Sequence, residues 1–385
     1  MSLEGLRGIA SIVVVVGHFT FVFLPYLATI FYPYPGASPT YGIEIILRQP
    51  PFTLLFSADA AVSVFFVMSG YVLATRFISN GSMEGLKEAA AKRYVRLVLP
   101  AAASIIFAWF LLKWGLIITK HAAELDVAGW VPEWYRQQLS FPSALFNAFV
   151  GAPLFSQTGL NPPVWTIQVE LIGSIFLFSM LALFERRPIQ LVLWSTFFSI
   201  LLSFQTPNAL FYMSFIAGAL LNHAVQGLQG RQGLSAVLFI IGLSAVSYNH
   251  ARVFDIVRAI PLPSFQPYGP DMASKPRLVW HTIGSIALVA GVLGWRPASY
   301  WLSTRIPVYL GKISFAMYLI HMPLVMSVGL WTLKGGLAAG LSRGGAITLA
   351  YAAYLVCVVL LSSVFHRWID VPSMALASKI SKWRR

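Results

Sequence analysis

The chain has 385 residues, of which 57% are hydrophobic and only 10% charged, with a mean hydropathy of +0.73. That balance excludes a soluble protein of this size and indicates a polytopic membrane protein. The net charge of +14 raises nucleic acid as a partner, but the basic residues lie between and beside apolar runs, which favours positive-inside topology over a nucleic-acid stripe.

Residues 3–31 read as the first spanning helix, since they stay apolar over more than the ~20 residues a bilayer requires. The run carries Glu4 and Arg7 at its mouth and His18 in its middle. At ~100° and ~1.5 Å per residue, Arg7 and His18 fall on nearly the same face, ~16 Å apart, which puts the imidazole near the midplane. An ionisable group at that depth is a functional candidate; the plainer alternative is a hydrogen bond to another helix, with Arg7 as an anchor. The run is too long for a cleavable signal and lacks a small-residue cleavage pattern, so it is read as retained.

Residues 32–51, rich in proline and tyrosine, form a loop, and 56–78 the second span, with Asp59 near its outer end. Residues 79–96 contain Lys87, Lys92, Arg93 and Arg96 and read as a short amphipathic helix on the membrane surface. Arg93 and Arg96, three apart, share a face there, either as a fork for phosphates or as topology determinants. The third span is 97–119. A long outer loop, 120–162, includes a half-apolar stretch, ALFNAFVGAPLF, suited to the interface. His121 and Asp126 in that loop have the H-x4-D spacing of glycerolipid acyltransferases, but on the side away from cytosolic acyl-CoA.

Span four, 164–184, holds Glu170 ~7.5 Å from its outer end, where a carboxylate must face the bundle interior, a partner or water. It ends at Glu185, Arg186 and Arg187. Spans five (188–204) and six (209–225) are joined by the short turn QTPN; span seven is 234–248, and a proline-rich loop, 249–276, leads to span eight, 278–295, with His281. A basic connector, 296–312, precedes span nine, 313–333, where His321 lies near the midplane and Pro323 loosens the helix. Span ten is 346–365, with Asp370 just beyond it. The fold class is therefore an all-α bundle of about ten transmembrane helices: one membrane domain, 1–372, and a short basic tail, 373–385, with no internal repeat. Most lysines and arginines flank the spans on the N-terminal side, so both termini are expected in the cytoplasm, as for a multi-pass protein of the plasma (inner) membrane. The single cysteine, Cys357, lies in an apolar run, and there is neither a metal cluster nor a nucleotide fingerprint.

Taken in order, LEGLRG with Arg7 and His18, VFFVMSGYVL with Ser69, Gly70 and Tyr71, RYVRLVLP with Arg93, Arg96 and Pro100, VWTIQVE ending at Glu170, SFAMYLIHMP with His321, and RWIDVP together resemble the acyltransferase 3 family of membrane acyltransferases. The resemblance covers nearly the whole chain. The sequence departs from the family pattern at Glu4, where aspartate is usual, at Ser63, where an acidic residue is common, at Thr166 in place of serine, and at Asp370 in place of glutamate.

The resemblance implies transfer of an acyl group, acetyl foremost, from cytosolic acyl-CoA to a hydroxyl of a carbohydrate or related envelope or secreted acceptor. It implies His18, Arg7 and Glu170 as catalytic residues. Arg93, Arg96, Arg7, Ser69 and Tyr71 then belong to the acyl-CoA side, and Trp165, Glu170 and His321 to the acceptor side. Acyl-CoA is a co-substrate in this reading, no metal takes part, and membrane lipids and a separate acceptor-delivering protein are further partners. Two roles for His18 stay open, a base for the acceptor hydroxyl or a transient carrier of the acyl group. A proton-coupled transporter or flippase is the competing class, weakened by the lack of an inverted repeat.

Overall fold

The computed structural model describes residues 1–31, 37–136, 138–184, 187–203, 209–260 and 275–382. Among them, α1 is Ser2–Phe23, α2 Ala58–Asn80, α3 Met83–Lys113, α4 Trp165–Phe184, α5 Pro188–Ser203, α6 Ala209–Leu228, α7 Gln232–Val246, α8 Lys275–Gly294, α9 Arg305–Leu324 and α10 Arg343–Phe365. Shorter helical turns fill the connections, and the described residues hold no strand. Eight of these helices, counted with their continuations, are long and apolar enough to cross a bilayer. Expected spans five and seven form as helices α5 and α7 of only 16 and 15 residues, and are not among the eight.

Several boundaries differ from the expectation: the first span, expected over 3–31, ends as a helix at Phe23. The basic stretch before span three is not a separate surface helix but the start of α3, 31 residues long and unbroken through Pro100. Alanines and long straight side chains keep the helix running from EGLKEAAAKRYVR into the apolar segment, with no glycine or cap residue between them to stop it. Span three accordingly ends at Lys113 rather than at residue 119. At the other end of the chain, a π-turn at His366–Asp370 carries α10 on into a further helix, Val371–Lys382, so the basic tail segment is helical as far as it is described. The expected QTPN turn, Glu185, Arg186 and half of the proline-rich loop lie outside the described residues.

The chain divides into two compact units. The first comprises Met1–Val14, Tyr26–Ala91 and Ile172–Gly311, the second Val15–Pro25, Lys92–Leu171 and Lys312–Arg385. In the first unit, α2 and α6 approach so closely that a Cβ added at Gly70 would strike the Phe215 carbonyl, and one at Gly218 the Val67 carbonyl. Small residues at a helix crossing are how helices gain contact where lipid removes the hydrophobic drive to associate. The α7–α8 contact repeats the device, Gly242 lying against Leu288 and Gly291 against Phe239. α2 ends at Gly81, whose φ of 62° is the left-handed cap that glycine takes without strain.

In the second unit the end of α1 is held by aromatic packing. Phe19 stacks on Phe23 at 4.1 Å and on Tyr354 of α10 at 5.3 Å between ring centroids. The Tyr354 hydroxyl, fully buried, donates to the Val15 carbonyl at 3.2 Å. These contacts fix the height and rotation of the turn of α1 that carries His18.

Candidate active site

His18 projects from α1 half-buried, and His321 from α9 fully buried. Both belong to the second unit, and the structure brings them together: His321 Nε2 lies 3.3 Å from His18 Nδ1, with the rings tilted by 51°. The remaining nitrogen of His321 settles where the protons are. Nδ1 is 2.7 Å from the Tyr318 carbonyl, which can only accept, so Nδ1 carries the hydrogen. A neutral His321 therefore presents a lone pair at Nε2. The His18 Nδ1–H donates to that lone pair, and His18 Nε2 is left as the basic nitrogen of the pair.

The local geometry of α9 follows from Pro323. Without an N–H, Pro323 cannot bond the carbonyl four residues back, that of Leu319. The side chain of Asn161 takes that place, its Nδ2 donating to the Leu319 carbonyl at 2.8 Å and to Ser104 Oγ at 3.0 Å. A π-turn, Val325–Gly329, follows. Pro162, next in sequence to Asn161, restricts Asn161 to extended backbone, and its φ of −154° and ψ of 94° conform. Nothing in the sequence singled out Asn161; the missing amide of Pro323 is the signal that was there to be read.

Glu170 is not held apart from Arg93. The two form an ion pair, with side chains 16% and 7% exposed. This corrects the reading of Arg93 and Arg96 as a fork sharing one face of a surface helix, whereas a partner is one of the surroundings expected for the Glu170 carboxylate. Because α3 begins at Met83, Arg93 sits ten residues into a helix, about 15 Å from its start, and turns its guanidinium inward. Arg96, one turn on, is exposed. Beside this pair the Tyr94 hydroxyl donates to the Phe149 carbonyl, and Gln168 Nε2 donates to the Leu154 carbonyl at 2.9 Å. They dock the apolar helix 141–155 of the long loop, which also borders a cavity of about 410 Å³ lined by Leu139, Pro142, Ser143, Phe146, Asn147 and Gln157. Trp165, half-buried, opens α4 one turn before Glu170.

The H-x4-D spacing does not assemble a dyad. His121 Nδ1 donates instead to Glu124 at 2.9 Å, and that hydrogen bond with the imidazole's charge holds the Glu124 carboxyl below the usual carboxylate range. Asp126 lies 3.5 Å from Arg343.

In the first unit, Arg7 lies 4.0 Å from Glu4, each about one-third exposed, at the start of α1. Ser69 and Tyr71 are half-buried on α2, and the Tyr71 backbone carbonyl accepts from Asn222 of α6 at 3.1 Å. Asp59 pairs with Arg277 at 2.7 Å, and Arg277 also donates to the Phe31 carbonyl. His281 Nε2 donates to the Tyr248 carbonyl at 3.0 Å. These are structural ties. Asp370, in the second unit, pairs with His366 at 2.8 Å.

An imidazole pair with assigned protons and a buried carboxylate–guanidinium pair lie on apolar helices, where ionisable groups are rare and are by default candidates for function. Residues 2–367 match the acyltransferase 3 family, the matching unit being described as an acyltransferase domain, and the chain belongs to that family. It is similar to acyltransferase R4 of a Phoma species, 25% identical with 96% of this chain and 93% of the relative covered. It is also similar to O-acetyltransferase PaAT-1 of Phomopsis amygdali, 26% identical over 99% of this chain and 83% of the relative, and to acyltransferase clz18 of Cochliobolus lunatus, 24% identical over 96% and 93%. No solved structure matches it. The protein is a multi-pass membrane acyltransferase.

Proposed function

We propose that this enzyme transfers an acyl group, acetyl foremost, from acyl-CoA to a hydroxyl oxygen of a carbohydrate or related acceptor at the plasma membrane, with His18 as general base. The observation that carries the reading is the orientation of the His18–His321 pair: the backbone carbonyl of Tyr318 fixes the tautomer of His321, and His321 fixes that of His18. His18 Nε2 takes the proton of the acceptor hydroxyl as its oxygen attacks the thioester carbonyl. The carbon–sulfur bond breaks, and His18 returns the proton to the departing thiolate, leaving an ester and free CoA thiol. His321 accepts the His18 Nδ1–H throughout and stabilises the imidazolium while it lasts.

The Glu170 carboxylate, held by Arg93, is an acceptor-only group suited to orienting a hydroxylated substrate. The guanidiniums of exposed Arg96 and partly exposed Arg7 are suited to the phosphates of CoA, each in its own unit, with Arg7 steadied by Glu4. Ser69 and Tyr71, half-buried on α2, belong to the acyl-CoA side in this reading, with the Tyr71 backbone carbonyl taken up by Asn222.

The test is release of CoA thiol from acetyl-CoA by the purified protein in nanodiscs, with a panel of methyl glycosides as acceptor probes. His18→Ala lowers turnover by about 10²–10⁴, the range for losing a positioned base, with expression intact. Full turnover by that variant overturns the reading.

A further inference from the structure

We propose that Asn161 is a positioning residue for the reaction centre, replacing the amide that Pro323 lacks and so fixing the turn of α9 that aims His321. The proposal rests on the reading of the His18–His321 pair as the reaction centre.

Asn161 is fully buried, and its amide orientation is not free. Ser104 Oγ gives its own hydrogen to the Ala101 carbonyl at 2.7 Å, so it must accept from Asn161, and the Leu319 carbonyl can only accept. Both Nδ2 hydrogens are thereby used. A flipped amide would put Oδ1 against a carbonyl oxygen. In the orientation that remains, Oδ1 is buried without a partner among the described residues. A buried amide that leaves its own oxygen unsatisfied is a poor choice for stability alone, and an apolar residue would fill the space at lower cost. What an apolar residue cannot do is satisfy the Leu319 carbonyl.

That carbonyl adjoins the centre. Leu319 follows Tyr318, whose carbonyl holds His321 Nδ1, and the Tyr318 hydroxyl donates to the Pro163 carbonyl at 3.3 Å. The short segment 161–163 thus grips both residues of the turn from which the His321 tautomer is set. Without Asn161 the Leu319 carbonyl is left unsatisfied in the same turn whose Tyr318 carbonyl sets the His321 tautomer, and the turn must shift to satisfy it. If His321 turned or changed tautomer, His18 would lose the acceptor that keeps its own proton on Nδ1.

The test uses the full chain in nanodiscs with ¹⁵N-labelled histidine, reading the His321 tautomer by NMR and turnover by CoA thiol release. In the wild type His321 shows the Nδ1–H form alone. Asn161→Ala gives a mixture of tautomers and lowers kcat tenfold or more, with the KM for acetyl-CoA within twofold. Pro323→Ala restores an amide able to bond the Leu319 carbonyl, so Pro323→Ala with Asn161→Ala returns both the single tautomer and kcat to within about threefold of Pro323→Ala alone. If Asn161→Ala does not fold, the same second substitution restores expression. The proposal is overturned if Asn161→Ala keeps the wild-type tautomer and kcat, or if Pro323→Ala restores neither expression nor tautomer. The tautomer is read without turnover, so an Asn161 effect on it alongside a fully active His18→Ala would sink the proposed chemistry and leave the positioning role standing.

Discussion

Replacing Glu170 by Gln removes one charge of the buried Arg93–Glu170 pair while keeping the shape. The guanidinium of Arg93, 7% exposed, is then left against a neutral amide, and its Nε already has no partner among the described residues. Breaking a buried pair from one side costs about 3–5 kcal/mol, most of it the uncompensated charge. At ~2–4 °C per kcal/mol for a unit of roughly 150–250 residues, the melting temperature falls by roughly 6–20 °C. Arg93→Met with Glu170→Leu removes both charges, and the cost largely disappears, to within about 1–2 kcal/mol of the wild type. Thermal unfolding in detergent, followed by tryptophan fluorescence, measures both. Turnover separates the structural role from the chemical one: the double variant is stable but inactive if Glu170 orients the acceptor. An unshifted melting temperature for Glu170→Gln refutes the burial argument, and a double variant that is both stable and fully active removes the pair from the reaction.

At the α2–α6 crossing, Gly70→Val drives a side chain into the Phe215 backbone and destabilises by about 1–3 kcal/mol or more, seen as lost monodisperse protein on size exclusion. The Tyr135 hydroxyl in the long loop is buried without a partner among the described residues, so Tyr135→Phe stabilises by about 1–3 kcal/mol in thermal unfolding. Burial also pushes the Tyr135 phenol well above its ordinary value of 10. The folded state therefore holds that proton longer, and stability present below pH 10 drains away as pH rises through the folded value, a loss that Tyr135→Phe abolishes in limited proteolysis of the loop. Arg96→Ala raises the KM for acetyl-CoA by up to about tenfold at low salt, and the difference shrinks at about 0.5 M salt because an exposed charge is screened.

The apolar runs located the helices because burial in lipid leaves the backbone no other way to satisfy its polar groups, and periodicity was not needed. Boundaries were less legible. Charged residues marked a surface helix at 79–96, but nothing in KEAAAKRYVR breaks a helix, and continuity won. The same continuity carried Arg93 inward to Glu170, a pairing that hydropathy along one chain cannot show because it depends on which helices become neighbours. His18 and His321 were each visible as ionisable groups at depth, 303 residues apart. Their meeting was not, nor was the part played by Asn161, whose partner is a backbone carbonyl freed by a proline in another helix.

The direction of the hydrogen bonds bears on the choice between a group-transfer centre and a proton path. A relay across a membrane needs each link to accept on one side and donate on the other, and to reverse. Here the donors run one way, from His18 Nδ1 to His321 Nε2 and from His321 Nδ1 to the Tyr318 carbonyl, and they end on an oxygen that has no proton to give. A proton arriving at His18 Nε2 can therefore be held by the pair but not passed on through it, and the way out is back through the nitrogen by which it entered. On the proposed reading of His18 as the base, taking one proton from a hydroxyl and giving one to a thiolate at a single nitrogen is what acyl transfer asks, and a dead-ended pair fits that demand.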